Sequence, residues 1–462
     1  MVSAPLERGR GHGKVKKIRI AVVGSGIAGL SCAWLLSQRH DVTLIEADHR
    51  LGGHAHTVDV GTGAHKQAID TGFIVSNTWT YPNFTALMDY LDQDMVETPM
   101  TFSVSMDKRR YEYSGDHLGT LIGRPRQWLD PRHWRMMADL VRFYRSAQDD
   151  AKTALAELTL GEYLQTAGYG EAFMRRHILP IAGAIWSSTP DQIAAYPFKA
   201  FIDFFANHQL FILGKRPDWR TVKGGSREYV EKLVADGKFE TRLGAPVKRI
   251  MRHMHNVDVE LAHGETLNFD HVVLATHADQ ALRLLDGPSE DERSLLSPFQ
   301  TSDNTAYLHR DESLMPQTRR FWSAWNYCGH QNGREEKLSV TYWMNALQKL
   351  QSPTQHFVSL NPPVLPHENM LDGIYSYRHP IFNAATLQAQ KRLWSLQGVK
   401  RTWFCGAWFG AGFHEDGLQA GLAVAEQLGG LVRPWDVAAP SGRIHVHDLN
   451  IGEQETFLPA AE

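Results

Sequence analysis

An α/β fold in two interleaved parts is predicted by three features of the sequence. An apolar run at residues 18–23 feeds directly into Gly24, Gly26 and Gly29 at G-x-G-x-x-G spacing, and a helical pattern follows (Leu30, Ala33, Trp34, Leu36). A second apolar strand at residues 42–45 ends on an acid, Glu46. Strand patterns return only far along the chain, at residues 247–261, 269–276 and 401–405, with long helical and aromatic blocks between them.

The first block is a βαβ unit, and each residue of its turn has a physical task. Gly24 permits the tight turn, Gly26 lets the backbone approach a pyrophosphate, and Gly29 lets helix and strand pack closely. Ile27 and Ala28 complete the turn, and the helix start supplies free N–H groups and a positive dipole end to phosphates. Glu46 can accept hydrogen bonds from a ribose diol. Strand, helix, strand and acid in this order point to a dinucleotide.

The next residues are Ala47, Asp48, His49, Arg50, Leu51, Gly52, Gly53 and His54. The glycine pair makes a second close backbone approach, with Arg50 placed to meet pyrophosphate charge. Here the chain resembles the FAD-dependent amine oxidase and phytoene desaturase superfamily, which carries E-x-x-x-R-x-G-G-R at this point. The resemblance continues at Asp70-Thr71-Gly72-Phe73, Lys223-Gly224-Gly225-Ser226, Val247-Lys248-Arg249-Ile250, Trp403-Phe404-Cys405-Gly406-Ala407 and Asp416-Gly417-Leu418. The chain also resembles a bacterial subgroup of NAD/FAD-binding oxidoreductases, themselves similar to the flavoprotein region fused to some plant cyclopropane fatty-acid synthases.

The resemblance implies an FAD cofactor and a discontinuous Rossmann-like domain of the GR2 type, at residues 18–75, 215–285 and 396–432. An α+β substrate domain at 76–214 and 286–395 is interleaved with it; residues 1–17 are expected to form a disordered basic arm and 433–462 a polar C-terminal tail. The implied cofactor contacts include Gly72, Phe73, Val247, whose strand backbone meets adenine, Thr276 at the end of its strand, Gly406, Ala407, Asp416, Gly417 and Leu418. Two positions depart from the family pattern. Ala407 stands where an acid usually holds the ribityl hydroxyls, and His54 stands where an arginine is usual. Asp416 or Glu415 could supply the missing acceptor, and Asp416 is also placed as a helix N-cap.

Composition agrees with an enzyme of this size. A chain of 462 residues with 43% hydrophobic and 21% charged residues is globular and exceeds one ordinary core. A net charge of −3 gives no drive toward nucleic acid. Three scattered cysteines, with Cys32 and Cys405 in apolar elements, form no disulfide framework and suit a reducing cytoplasm. No signal peptide or membrane span is expected. Residues 77–213 read as largely helical, notably 131–149 and 158–178, and 305–345 as strand-like and aromatic. The strands at 247–276 are expected to return to the cofactor domain, and 418–428 reads as a closing helix.

Only one dinucleotide fingerprint is present, which favours direct oxidation of a substrate by FAD, with electrons leaving to oxygen or another acceptor. No lysine occurs at residues 305–310, where amine oxidases would carry one by order; His309 lies there instead. Phenylalanines 198, 201, 204, 205 and 211 suggest an apolar helical face, read either as core or as a tunnel or membrane-touching lip for an acyl chain. The expected activity is hydride removal from a lipid-like substrate, by desaturation, dehydrogenation or isomerisation. Amine oxidation and a catalytically inactive flavin-binding partner of a lipid-modifying enzyme are the alternatives, and peripheral contact with the inner membrane face goes with the lipid reading. His414 is the first catalytic candidate for its titration range, with Tyr342 and Asn345 on the substrate side. The H-x-H pairs at 54/56, 253/255 and 445/447 lack further ligands at motif spacing, so no metal is expected.

Overall fold

The computed structural model describes residues 17–63, 66–106, 109–186, 190–207, 218–332 and 335–447. Its centre is a five-stranded parallel sheet in the order Glu240–Arg242, Asp41–Ile45, Arg19–Val23, His271–Leu274, Thr402–Phe404. Ile20 pairs with Val42 on one side and with His271 on the other, and Val272 pairs with Thr402. Continuous apolar runs such as Ile20–Val23 suit these strands because both faces of the sheet are covered. The helix Ile27–Leu36 is buried along its whole length, for the C-terminal helix His414–Gly429 packs against it. A Cβ on Gly421 would lie 2.1 Å from the Ala28 carbonyl oxygen, so that crossing depends on glycine.

Residues 247–261 do not join this sheet. They form the hairpin Val247–Arg252 and Val257–Leu261, which pairs with Thr266–Phe269 as a separate antiparallel sheet. Their apolar/polar alternation leaves one face wet, which an antiparallel sheet tolerates and a doubly covered parallel sheet does not. The edge place is taken by Glu240–Arg242, three exposed residues with no apolar signal.

The second large sheet has seven strands: Leu371–Ile381, Gln300–His309, Phe357–Leu360, Glu335–Trp343, Trp325–Asn332, Phe102–Met106 and Tyr111–Ser114. The last two lie inside the block read as helical. Both are held by pairing to distant chain, with Phe102 in parallel register beside Trp325. The helix Pro131–Asp150 forms as expected, capped by Asp130 accepting from the Arg132 N–H at 2.9 Å. Residues 158–178 break into Leu160–Thr166, Glu171–Phe173 and a π-helical turn at Met174–Ile178. Phe198, Phe201, Phe204 and Phe205 are all buried; Phe198 stacks on Tyr163 at 3.7 Å and Phe204 on Phe413 at 4.8 Å. They are core rather than an open tunnel, and Phe211 lies outside the described residues.

The tail, as far as His447, docks on the cofactor half. Arg433 is buried and bonded to Glu426 and to the Asn83 side chain, and Arg443 reaches Asp416 at 2.5 Å. All three cysteines are buried free thiols. Among the described residues no helix is long and apolar enough to cross a membrane.

Candidate functional site

Two glycine turns meet back to back. Gly24 has φ +100°, and a Cβ there would sit 2.8 Å from the Ala275 carbonyl oxygen. At Gly29 a Cβ would fall 1.8 Å from the Gly24 oxygen, so the helix start depends on its absence. The second turn has Gly52 at φ +108° donating its N–H to the Ser25 carbonyl at 3.0 Å, and a Cβ on Gly53 would lie 3.0 Å from the Gly26 Cα. Gly26 is the exception: its Cβ would meet nothing within 4 Å. The protein itself does not require glycine there, so the open space is what a ligand would use.

Glu46 stands at the end of its strand with Oε2 accepting from the Ser25 N–H (2.7 Å) and hydroxyl (2.6 Å), and Oε1 accepting from the Asp48 N–H (3.0 Å). Ala47 beside it is exposed, and Arg50 lies with Nε 3.3 Å from Asp48. The Ala245 N–H donates to the Glu46 carbonyl at 2.9 Å, which brings the start of the Val247 strand alongside the acid. Thr276 lies against Gly24, and its carbonyl accepts from the Trp408 indole at 3.0 Å.

The C-terminal helix brings a second N-terminus to the same place. A Cβ on Gly417 would lie 3.0 Å from Ile27 Cγ2 and 3.6 Å from the Ala407 nitrogen, and Leu418 follows it into the core. Gly406 and Ala407 therefore join Ile27, Ala28 and Gly417 around two converging helix starts, where backbone N–H groups and dipoles favour negative charge.

Asp416 is not the N-cap. The helix begins at His414, with Phe413 as cap, so Asp416 lies in the first turn and its Oδ2 accepts from the Phe413 N–H at 2.8 Å. Its Oδ1 pairs with Arg443. Glu415 caps a different helix, Pro82–Tyr90, accepting from the Asn83 and Phe84 N–H groups at 3.0 and 2.9 Å. Every oxygen of the two acids thus already accepts from the protein, as both oxygens of Glu46 do, and each keeps a second lone pair.

His414 does not have the titration range expected of it. It is half-buried, stacked on Phe73 at 3.8 Å and 8°, and its Nε2 lies 2.7 Å from the Tyr229 hydroxyl. Burial pushes its pKa down to about 3, so the ring is neutral throughout the physiological range. Tyr342 packs edge-on against Trp325 at 4.9 Å, two strands removed from the edge strand Leu371–Ile381 by Gln300–His309 and Phe357–Leu360. Asn345 staples the loop that follows, donating to the Thr354 carbonyl at 2.8 Å and accepting from the His356 N–H at 2.7 Å. The structure gives neither side chain a hydrogen bond to the glycine turns.

Instead it brings a wall of rings that motif reading missed. The His54 ring lies 5.2 Å from Tyr377, 5.3 Å from His379 and 6.4 Å from His277. Burial, then the neighbouring histidines, hold His54 well below the usual imidazole pKa; burial brings His277 and His379 to about 4. Tyr377 bonds Thr71 Oγ1 at 2.6 Å and lies 2.9 Å from His56 Nδ1, which fixes the Gly72–Phe73 segment to the sheet. A weak signal existed: Tyr375, Tyr377 and His379 alternate along one strand and so share a face. Asp70, also missed as a site residue, accepts from Thr57 and from the Ser226 N–H and hydroxyl, joining two of the motif segments; burial raises its pKa to about 6.

Two observations fit these residues to a flavin dinucleotide: the open space over Gly26, and His54 Nε2, which is buried with no hydrogen-bond partner. Gly24–Gly29 and the second helix start would hold phosphate and ring oxygens, and Glu46 the ribose.

Fold and cradle together define a dinucleotide-dependent oxidoreductase. Residues 27–307 match the flavin containing amine oxidoreductase family, to which the chain belongs, and its cofactor is FAD. Among solved structures the chain is similar to a putative protoporphyrinogen oxidase from Exiguobacterium sp. 255-15 (16% identity, 90% of this chain and 99% of that one, TM-score 0.64). It is also similar to a CLA-producing fatty acid isomerase from P. acnes (17%, 90% and 99%, TM-score 0.60). A third is cyclohexylamine oxidase from Brevibacterium oxydans IH-35A (16%, 89% and 100%, TM-score 0.62). At these identities the likeness is one of fold. No protein of curated function matches the chain.

Proposed function

We propose that this flavin-dependent oxidoreductase removes hydride from a C–H bond of a lipid-like, acyl-bearing substrate, as a desaturase, dehydrogenase or isomerase. The observation that carries the reading is the neutral ring wall of His54, His277, His379 and Tyr377 beside the cradle. Burial keeps its imidazoles uncharged, so it offers an uncharged chain a surface without desolvated ions. His309, where a lysine would mark an amine oxidase by order, is buried within its sheet and bonded to Ser359 at 2.8 Å. The fold shared with a fatty acid isomerase is consistent with such a substrate.

Bound FAD supplies the hydride acceptor. This chain's own work is to hold the cofactor's phosphates at two helix starts, orient Glu46 through Ser25, and exclude water with Phe73 and the ring wall. His414 and Tyr229 act as a fixed support, since a ring at pKa about 3 is a poor proton acceptor near neutrality.

Amine oxidation is the second reading, favoured by the aromatic stripe Tyr375–Tyr377 on the edge strand. Anaerobic titration of the yellow holoenzyme separates the two. Monounsaturated fatty acid or phospholipid should bleach the flavin, or be isomerised without net bleaching; bleaching by aliphatic amines alone overturns the acyl reading. If neither does so while dithionite still does, the chain is a flavin-binding partner without catalysis.

A further inference from the structure

Three large apolar side chains stand together in water on the helical block. Leu129 is 88% exposed, Trp128 51% and Trp134 50%. They lie on the 3-10 turn Pro125–Leu129 and the start of the helix Pro131–Asp150. The Trp134 indole N–H donates to the Trp128 carbonyl at 2.9 Å, which ties turn and helix into one lip. Arg126, Arg132 and Arg135 are exposed around it.

The lip adjoins a cleft. Arg132 and Arg135 line a cavity of about 1510 Å³, and the π-helical turn contributes Arg175 and Arg176. Met106, Leu164, Leu179 and Tyr327 give the cavity an apolar wall. Among the described residues its acids are Glu171, which is paired to Arg175 at 3.1 Å, and Asp191. Arg176 is stacked over the Tyr111 ring and lies 3.8 Å from Asp130, while Arg135 is 4.0 Å from Asp139.

Scattered exposed apolar residues need no explanation, but two indoles and a leucine on adjoining turns do. Indole rings settle at headgroup level, a leucine enters the acyl boundary, and guanidiniums pair with phosphates. Arginines around the patch complement an anionic surface, each worth about 1 kcal/mol near it.

We propose that this lip docks on an anionic lipid bilayer, and that the adjoining cleft takes up an acyl chain whose negatively charged head is held by Arg132 and Arg135. The uptake step rests on the acyl-substrate reading above; the docking does not.

The holoenzyme is pelleted with sucrose-loaded vesicles of phosphatidylglycerol and phosphatidylcholine, or of phosphatidylcholine alone. The wild type should pellet with the anionic vesicles and be released by salt, and L129E and R132E/R135E should each bind about tenfold more weakly or worse with an unchanged flavin spectrum. Wild type that stays in the supernatant, or variants that pellet like it, overturn the docking. So does a wild-type dimer in analytical ultracentrifugation that L129E dissolves, because a second copy would then be what covers the lip. Displacement of a fluorescent fatty acid by oleate reads the cleft without turnover. Weakening by about tenfold in R132E/R135E supports uptake; undiminished displacement overturns it. Docking and oleate binding without flavin chemistry on any acyl compound would sink the acyl reading and leave the surface standing.

Discussion

The nucleotide cradle and the ring wall face each other at His54 and are built on opposite principles. The cradle is a matter of backbone: Gly24, Gly29 and Gly52 stand where a Cβ would strike a carbonyl at 2.8, 1.8 and 2.5 Å, so the residue type is dictated by contact distance. The wall is a matter of side chains that converge from a loop (His54), a helix cap (His277) and one edge strand (Tyr377, His379). Many side chains would satisfy that sheet, and few would satisfy that turn. Steric necessity leaves a spaced motif in the sequence, whereas convergence of distant rings leaves almost none.

The sharpest way to break this contrast lies inside the glycine motif. G29V forces a branched side chain into the Gly24 oxygen and should cost more than about 4 kcal/mol, leaving insoluble or colourless protein. At Gly26 a Cβ meets no protein atom within 4 Å and φ is an ordinary −62°, so G26V should shift thermal unfolding of the apoprotein by less than about 1 kcal/mol while FAD is lost. A G26V protein that stays yellow would show that the open space is not the phosphate site.

Next in size is R443L, which leaves buried Asp416 without its partner and should cost about 3–5 kcal/mol in urea unfolding. The double variant R443L/D416L should recover most of that loss. If R443L is neutral, the docked tail contributes nothing to the second helix start.

Acid tests the wall. The neutral rings of His54, His277, His379 and His414 titrate far below their unfolded value of about 6.5, so the unfolded chain binds more protons between roughly pH 4 and 6.5. Their stabilisation is complete above pH 6.5 and is lost as pH falls through that window. His40, His56, His133, His177, His271 and His309, also lowered by burial, act in the same direction, while Asp70 and Glu415, with raised values, oppose them. The net loss should be at least roughly 2–4 kcal/mol by about pH 5.5, read from urea midpoints, and should shrink when His54, His277 and His379 are replaced together by Gln. A flat profile would mean that the wall is hydrated.

The smaller effects separate support from chemistry. Y229F removes the hydroxyl 2.7 Å from His414 and should cost about 1 kcal/mol, with little change in the pH dependence of flavin reduction. Y342F should alter stability and reduction rate least, by under about 0.5 kcal/mol, because its ring is held by packing edge-on against Trp325. A large rate loss in Y342F would return that residue to the substrate side.

Particular elements show where reading the chain stopped. Val247–Leu261 displayed its strand character but not its sheet, because alternation reports how many faces are wet and not which partner is chosen. Phe102–Met106 and Tyr111–Ser114 were hidden in a helical block, since short strands are stabilised mainly by neighbours distant in sequence. Asp416 carried a capping signature, but the helix had already begun at His414. Glu415 caps a helix that starts far earlier in the chain, a relation no local pattern records.

By itself, the sequence determined the βαβ turn, its terminal acid, the scattered family segments and hence the flavin class of the chain. These are local or steric requirements, satisfied within a few residues of chain. Only the tertiary structure decided that His414 is stacked on Phe73 and neutral, that both carboxylates of the last helix are already engaged, and that rings from three elements wall the cradle. Those outcomes depend on desolvation and on which distant groups meet, and folding alone sets both.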